Sequence, residues 1–191
     1  MPIRRIFDRH RRDNAAHGLY VAIIAQARLP DFYLRLGVPD TLDGRFDLIV
    51  AHAFLVMRRL KQESGTATEE ARALSQALFD LMFADMDQNL REIGVGDMSV
   101  GKKVKQMARA FYGRVASYED GLAAPADSDV LEAALGRNLY GTVAGGADPG
   151  AVAAVAAYLR LQAEALSGQD MTGLLAGKVA FVAPEDAGHG R

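Results

Sequence analysis

Between Phe46 and Leu60 the apolar residues occupy two faces of one helical period. Phe46, Ile49, Val50, Ala53, Met57 and Leu60 share a stripe, and Leu48, Leu55 and Val56 make a second. A helix apolar on two sides needs neighbours on both, so this segment predicts the centre of a helical bundle, running from about Thr41–Asp43 to Glu63. Arg58, Arg59 and Lys61 place cations in its last turns, where the helix dipole favours them. A chain of 191 residues, half of them apolar, has enough material for such a core.

The same period recurs along most of the chain. After Asn14, a candidate N-cap, Tyr20, Ile23, Ile24 and Ala27 form a stripe that Pro30 ends, and one helical turn is expected from Asp31. Thr66 and Glu69 have the spacing of a capping box for a helix that closes at Gly94. A further helix is expected from Ser99 to about Glu119, with Val100, Val104, Met107, Phe111, Val115 and Tyr118 on its inner side. Ser128 or Asp129 is positioned to cap "VLEAALGRNLY", and Asp148–Pro149 is a favoured N-cap and first-turn pair for a helix to about Ser167. Near the end, "GKVAFVAP" alternates in the β-prone manner but is too short to found a sheet. The expectation is therefore an all-α fold, a single compact bundle of about six or seven helices with at most a short C-terminal strand-like segment. A basic N-terminal segment is expected over 1–13, the helical domain over 14–183 and a flexible tail over 184–191.

Composition removes several functional classes. With no cysteine there is no disulfide framework, zinc–thiolate site or cysteine nucleophile. A net charge of −2 gives no global argument for a nucleic-acid partner. The apolar runs "LIVAHAFLVM" and "LYVAIIAQA" are about half the roughly 20 residues that span a bilayer. The N-terminus, with Arg4, Arg5, Arg9, Arg11 and Arg12, lacks the apolar stretch of a secretory signal, and Asp8 and Asp13 argue against an organellar presequence.

Four features are candidates for chemistry. Gly96 to Lys102 matches a phosphate-cradling loop, but a helix precedes it and Lys103 stands where Ser or Thr would hold magnesium, so it reads as a corner between helices. Beyond it, no acidic residue occurs between Met98 and Tyr118, and Lys102, Lys105 and Arg109 share one helix face, with Lys103 and Arg114 nearby. Such a face suits an anionic surface, and Arg114 is grouped with it as a candidate. His52 stands off the main stripe and reads as a packed, hydrogen-bonded histidine, while His10, His17 and His189 form no metal-ligand spacing. Asp85 falls on the stripe of Leu78, Leu81 and Met82, which requires it to pair with a cation, with an arginine of the basic helix as the candidate, or to cap a neighbouring helix.

Several positions in order carry a family pattern: Leu19–Tyr20, Pro39–Asp40–Thr41 with Phe46, "RLKQE", Asp85, Arg91, Gly94–Val95, Lys102–Lys103, Phe111–Tyr112, Tyr118 to Gly121, and "LLAGKVAF". Over about residues 19 to 183 the chain resembles the ubiquinol–cytochrome c chaperone family, which assists assembly of respiratory complex III. Mitochondrial members carry a long leading stretch, and its lack here implies a bacterial-type member.

The resemblance implies a non-enzymatic chaperone, without cofactor or metal, that binds newly made cytochrome b during biogenesis of the cytochrome bc1 complex. It further implies a ribosome or inner-membrane surface and a small co-chaperone as partners, no DNA, and a cytoplasmic place peripheral to the inner membrane. The matching positions Pro39, Asp40, Thr41, Phe46, Asp85, Arg91, Gly94, Phe111, Tyr112 and Tyr118 are expected to be structural. The alternatives are an adaptor docking on anionic membrane or ribosome through basic helix faces and, less favoured, a helical enzyme using His52 and Asp85.

Overall fold

A computed structural model describes the backbone of residues 2–184 and the side chains of residues 7–184. Among the described residues every regular element is a helix: α1 Pro2–Ala27, α2 Pro30–Leu34, α3 Leu42–Lys61, α4 Thr68–Glu92, α5 Asp97–Ala123, α6 Val130–Asn138, α7 Pro149–Ser167 and α8 Met171–Leu175. The all-α expectation holds. The five-residue α8 was not anticipated, and the tail beyond Pro184, with His189, lies outside the described residues.

The helices gather into two compact units. The first takes residues up to 22, 57–112 and 169–179, and the second takes 23–56, 113–168 and 180 onward. In the first, Leu19 and Tyr20 of α1, Leu74, Leu78, Met82 and Phe83 of α4, Val100 and Phe111 of α5 and Leu174 of α8 are buried. In the second, every side chain of α3 from Phe46 to Val56 is buried, which is what two apolar faces dictate for a surrounded helix. Phe32, Tyr118, Leu131, Leu135, Val155, Tyr158 and Leu159 complete that core.

Local chemistry explains most ends. Asp148 caps α7, its carboxylate accepting from Ala151 N–H at 2.8 Å, with Pro149 in the first turn. Thr41 caps α3 through Gly44 N–H at 3.1 Å. Gly94 sits at φ 85° after α4. There Val95 N–H donates to Leu90 O and Gly94 N–H to Arg91 O, each at 3.0 Å, the paired bonds of a Schellman stop. Gly177, at φ 80°, ends α8 the same way, with bonds to Gly173 O and Leu174 O.

Several local expectations are corrected. First, α1 does not start at Asn14, which lies inside the helix. The basic turns before it are held by an Arg9–Asp13 pair at 3.7 Å and by an Arg11–Glu70 ion pair to α4. Second, the Thr66–Glu69 capping box does not form. Ala67 occupies the cap position without a side-chain bond, Glu69 pairs with Arg72, and Thr68 Oγ1 bonds back to Gly65 O at 3.0 Å. Third, Ser99 is inside α5, donating its N–H to Gly96 O at 2.8 Å, and Asp129, although at the N-cap of α6, makes no side-chain cap bond. Fourth, residues 178–183 form no strand. Val182 is matched by a side chain instead: its N–H donates to Gln162 Oε1 at 3.1 Å, and its carbonyl accepts from the Gln162 and Gln26 amides.

Candidate functional site

The corner "GVGDMSVGKK" joins α4 to α5 as a helix–turn–helix passage. Arg91 closes it, reaching Asp87 at 2.6 Å one turn back and Asp97 at the start of α5. This bridging places Arg91 and Gly94 together as one structural device, and no strand precedes the glycines.

Beyond the corner, Lys102, Lys105 and Arg109 project from α5 and are exposed, as is Lys103. Among the described residues none of these cations is within ion-pair distance of a carboxylate. The N-terminal arginines differ, because Arg9 and Arg11 are already paired; the side chains of Arg4 and Arg5 lie outside the described residues. Phe79 and Phe83 of α4 pack ring against ring with Phe111 and Tyr112 of α5, with Phe79 to Phe83 at 4.6 Å and Phe79 to Tyr112 at 5.6 Å.

Arg114 is separate from that exposed face. It turns inward to Asp47, Nη2 to Oδ1 at 2.8 Å, and its guanidinium lies 5.9 Å from the Phe46 ring centre. Within this ion pair Asp47 Oδ1 and Arg114 Nε, and beside it the Tyr118 hydroxyl, are buried without a hydrogen-bond partner among the described residues. Burial pushes the Asp47 carboxyl up to about 7, with Asp43 adding to the rise and Arg114 opposing it. The Tyr118 phenol is raised by burial and then by the Asp47 charge. Sequence reading missed Asp47, because an aspartate beside Phe46 on a capped helix has the spacing of a solvated first turn.

His52 is a packed histidine, as expected. Its Nδ1 is 2.8 Å from Leu48 O, and a carbonyl only accepts, so Nδ1 carries the proton. Nε2 then accepts from the Tyr158 hydroxyl at 2.7 Å, and Tyr158 in turn accepts from Gln26 at 2.9 Å. Phe32 and Phe181 meet the imidazole edge to face, and burial pushes its pKa down to about 4, keeping the ring neutral.

Asp85 is held by Tyr20 Oη at 2.8 Å and Asn89 Nδ2 at 3.0 Å. The arginine expected for it is absent among the described residues; a phenol satisfies the carboxylate instead. With both nitrogens of His52 engaged and Asp85 tied to a phenol and an amide, neither is arranged as a free general base facing a nucleophile.

Other matching positions also occupy joints. Pro39 O accepts from Thr41 N–H at 2.9 Å, and a Cβ at Gly44 would lie 2.0 Å from that same oxygen, so the Pro39–Thr41 turn requires a glycine three residues on. Asp40 pairs with Arg45 at 2.6 Å. Phe46, Phe111 and Tyr118 are buried, whereas Tyr112 is 61% exposed.

Comparison with known proteins agrees with this arrangement. A family model described as ubiquinol-cytochrome C chaperone matches residues 34–181. The mouse protein named ubiquinol-cytochrome c reductase complex assembly factor 1 is 27% identical over 168 residues, covering 86% of this chain and 54% of the relative. Its Xenopus laevis namesake is 25% identical over 170 residues, covering 87% and 80%. The chain thus spans about half the length of the mouse relative. A crystal structure of the Cbp3 homolog from Brucella abortus superposes with a TM-score of 0.79 at 34% identity, covering 96% of this chain and 98% of that one.

Proposed function

We propose, from the premise that this chain belongs to the ubiquinol–cytochrome c chaperone family, that it is a non-enzymatic assembly chaperone of the respiratory cytochrome bc1 complex whose client is newly made cytochrome b. The observation that carries the proposal is the family match over residues 34–181, which runs through both units. The assembly-factor names belong to the mouse and frog relatives, and the match supports the same role for this chain.

The packing supports the reading. Family positions serve as turn, cap and core, as a scaffold for binding requires, and His52 and Asp85 are both engaged in hydrogen bonds that hold the fold. No helix of the described residues is long and apolar enough to cross a membrane. In this proposal the hydrophobic client is met from the membrane surface, at the cytoplasmic face of the inner membrane. A small co-chaperone and the ribosome are further partners in this proposal.

Deletion of the gene in its native host, followed by blue-native electrophoresis and haem spectra of membranes, tests the role. Loss of the bc1 complex and of cytochrome b with other respiratory complexes retained is the expected result. Normal bc1 levels would refute it. Capture of cytochrome b on the tagged full chain during its synthesis tests the client separately.

A further inference from the structure

We infer that the outer stripe of α5 docks on an anionic lipid bilayer. At 100° per residue Met98, Lys102, Lys105, Arg109 and Tyr112 fall within an arc of about 80°, along roughly 21 Å of helix. All are exposed, Met98 at 98% and Tyr112 at 61%, and Ile93, 62% exposed, stands at the corner leading into the same helix. The stripe interleaves cations that have no carboxylate partner among the described residues with large apolar side chains, in a protein whose overall charge is −2.

A leaflet rich in acidic phospholipid matches both components. Its phosphates attract the lysines and Arg109, whose methylene stems lie along the surface, while its interfacial layer accepts Met98, Ile93 and a tyrosine. Ribosomal RNA offers the phosphates but no apolar layer for Met98 and Ile93, so the apolar residues favour lipid. Tyr112 is already fixed against Phe79, so its ring is ordered before contact and docking loses little rotamer freedom there. This inference stands independently of the assembly role.

The chain contains no tryptophan, so a single Met98→Trp substitution at a fully exposed position gives a local reporter. The full chain is sedimented with vesicles of phosphatidylcholine alone and of phosphatidylcholine mixed with phosphatidylglycerol, and with ribosomes. Expected results are binding to the mixed vesicles but not to phosphatidylcholine alone, a blue shift of the Met98→Trp emission on binding, weakening by salt, and a fall of about a hundredfold in vesicle partitioning when Lys102, Lys105 and Arg109 are all changed to Glu. Absence of vesicle binding, or binding unchanged by the charge reversal, overturns the inference. Emission that stays unshifted on vesicles while the same lysines govern ribosome binding also overturns it, and assigns the stripe to RNA. Circular dichroism of each variant against the parent establishes that the fold is retained, which exposed positions permit.

Discussion

Tyr20 donates its phenolic hydrogen to Asp85, with Oη 2.8 Å from Oδ2, and so joins α1 to α4 across 65 positions of sequence. Both residues carry the family pattern, and the bond gives each a physical task. The carboxylate has one strong neutral donor from another helix and one amide from its own, and this satisfies it without a cation.

Tyr20→Phe removes the donor and leaves the half-buried carboxylate of Asp85 dependent on Asn89, at a cost of about 1 kcal/mol. Asp85→Asn keeps an acceptor for the phenol and costs less. Urea denaturation of the two variants measures the order; equal midpoints for Tyr20→Phe and the parent would show that the bond contributes nothing.

Gly18 and Gly177 approach so closely that a Cβ on Gly18 would lie 2.6 Å from Gly177 O, and one on Gly177 would lie 2.8 Å from Ala15 Cα. These are backbone contacts, which cannot rotate away. Gly18→Ala is expected to destabilise the first unit by about 2 kcal/mol. Gly177→Ala costs more, because its φ of 80° is also unfavourable for a Cβ. Amide exchange in α1 and α8 reads the loss locally.

His52 and Asp47 give opposite pH dependences. The His52 pKa falls from 6.5 to about 4 on folding, so its stabilisation is complete above 6.5 and is lost as pH falls through 4. The Asp47 pKa rises from 3.8 to about 7, so its contribution is complete below 3.8 and is lost as pH rises through 7. Between pH 4 and 6.5 the two slopes oppose each other. Asp47→Asn removes one of them, and the variant is expected to lose about 3 kcal/mol relative to the parent between pH 7 and pH 4. Chemical denaturation at stepped pH decides this, and parallel curves for the two proteins would contradict it.

Arg114 and the exposed α5 cations separate stability from docking. Arg114→Ala leaves Asp47 buried without its ion pair and is expected to cost about 3 kcal/mol well above pH 7, where Asp47 is ionised, and much less at neutral and acid pH, where Asp47 takes up a proton. Changing Lys102, Lys105 and Arg109 to Glu is expected to alter stability by no more than about 0.5 kcal/mol for each substitution. If docking through α5 serves assembly, this triple variant is stable, is made at normal levels, and fails to restore the bc1 complex in a deletion strain. Full restoration would separate the docking surface from the assembly role.

The spacing of residues within a few turns determined much of the fold. Period and capping are local: Asp148 with Ala151, Thr41 with Gly44 and Gly94 after Leu90 each act within five residues, so the sequence alone placed α3, α7 and the end of α4 close to where they lie. The corner at Gly94 and the exposure of Lys102, Lys105 and Arg109 were legible for the same reason. Tertiary structure decided what distance along the chain conceals. A carboxylate on an apolar stripe announces that it needs a partner, but Coulomb attraction and a phenol both satisfy that need, and only proximity selects Tyr20 for Asp85. Proximity likewise turned Arg114 inward to Asp47, gave Val182 an amide side chain in place of a strand, and held the basic turns of α1 against Glu70.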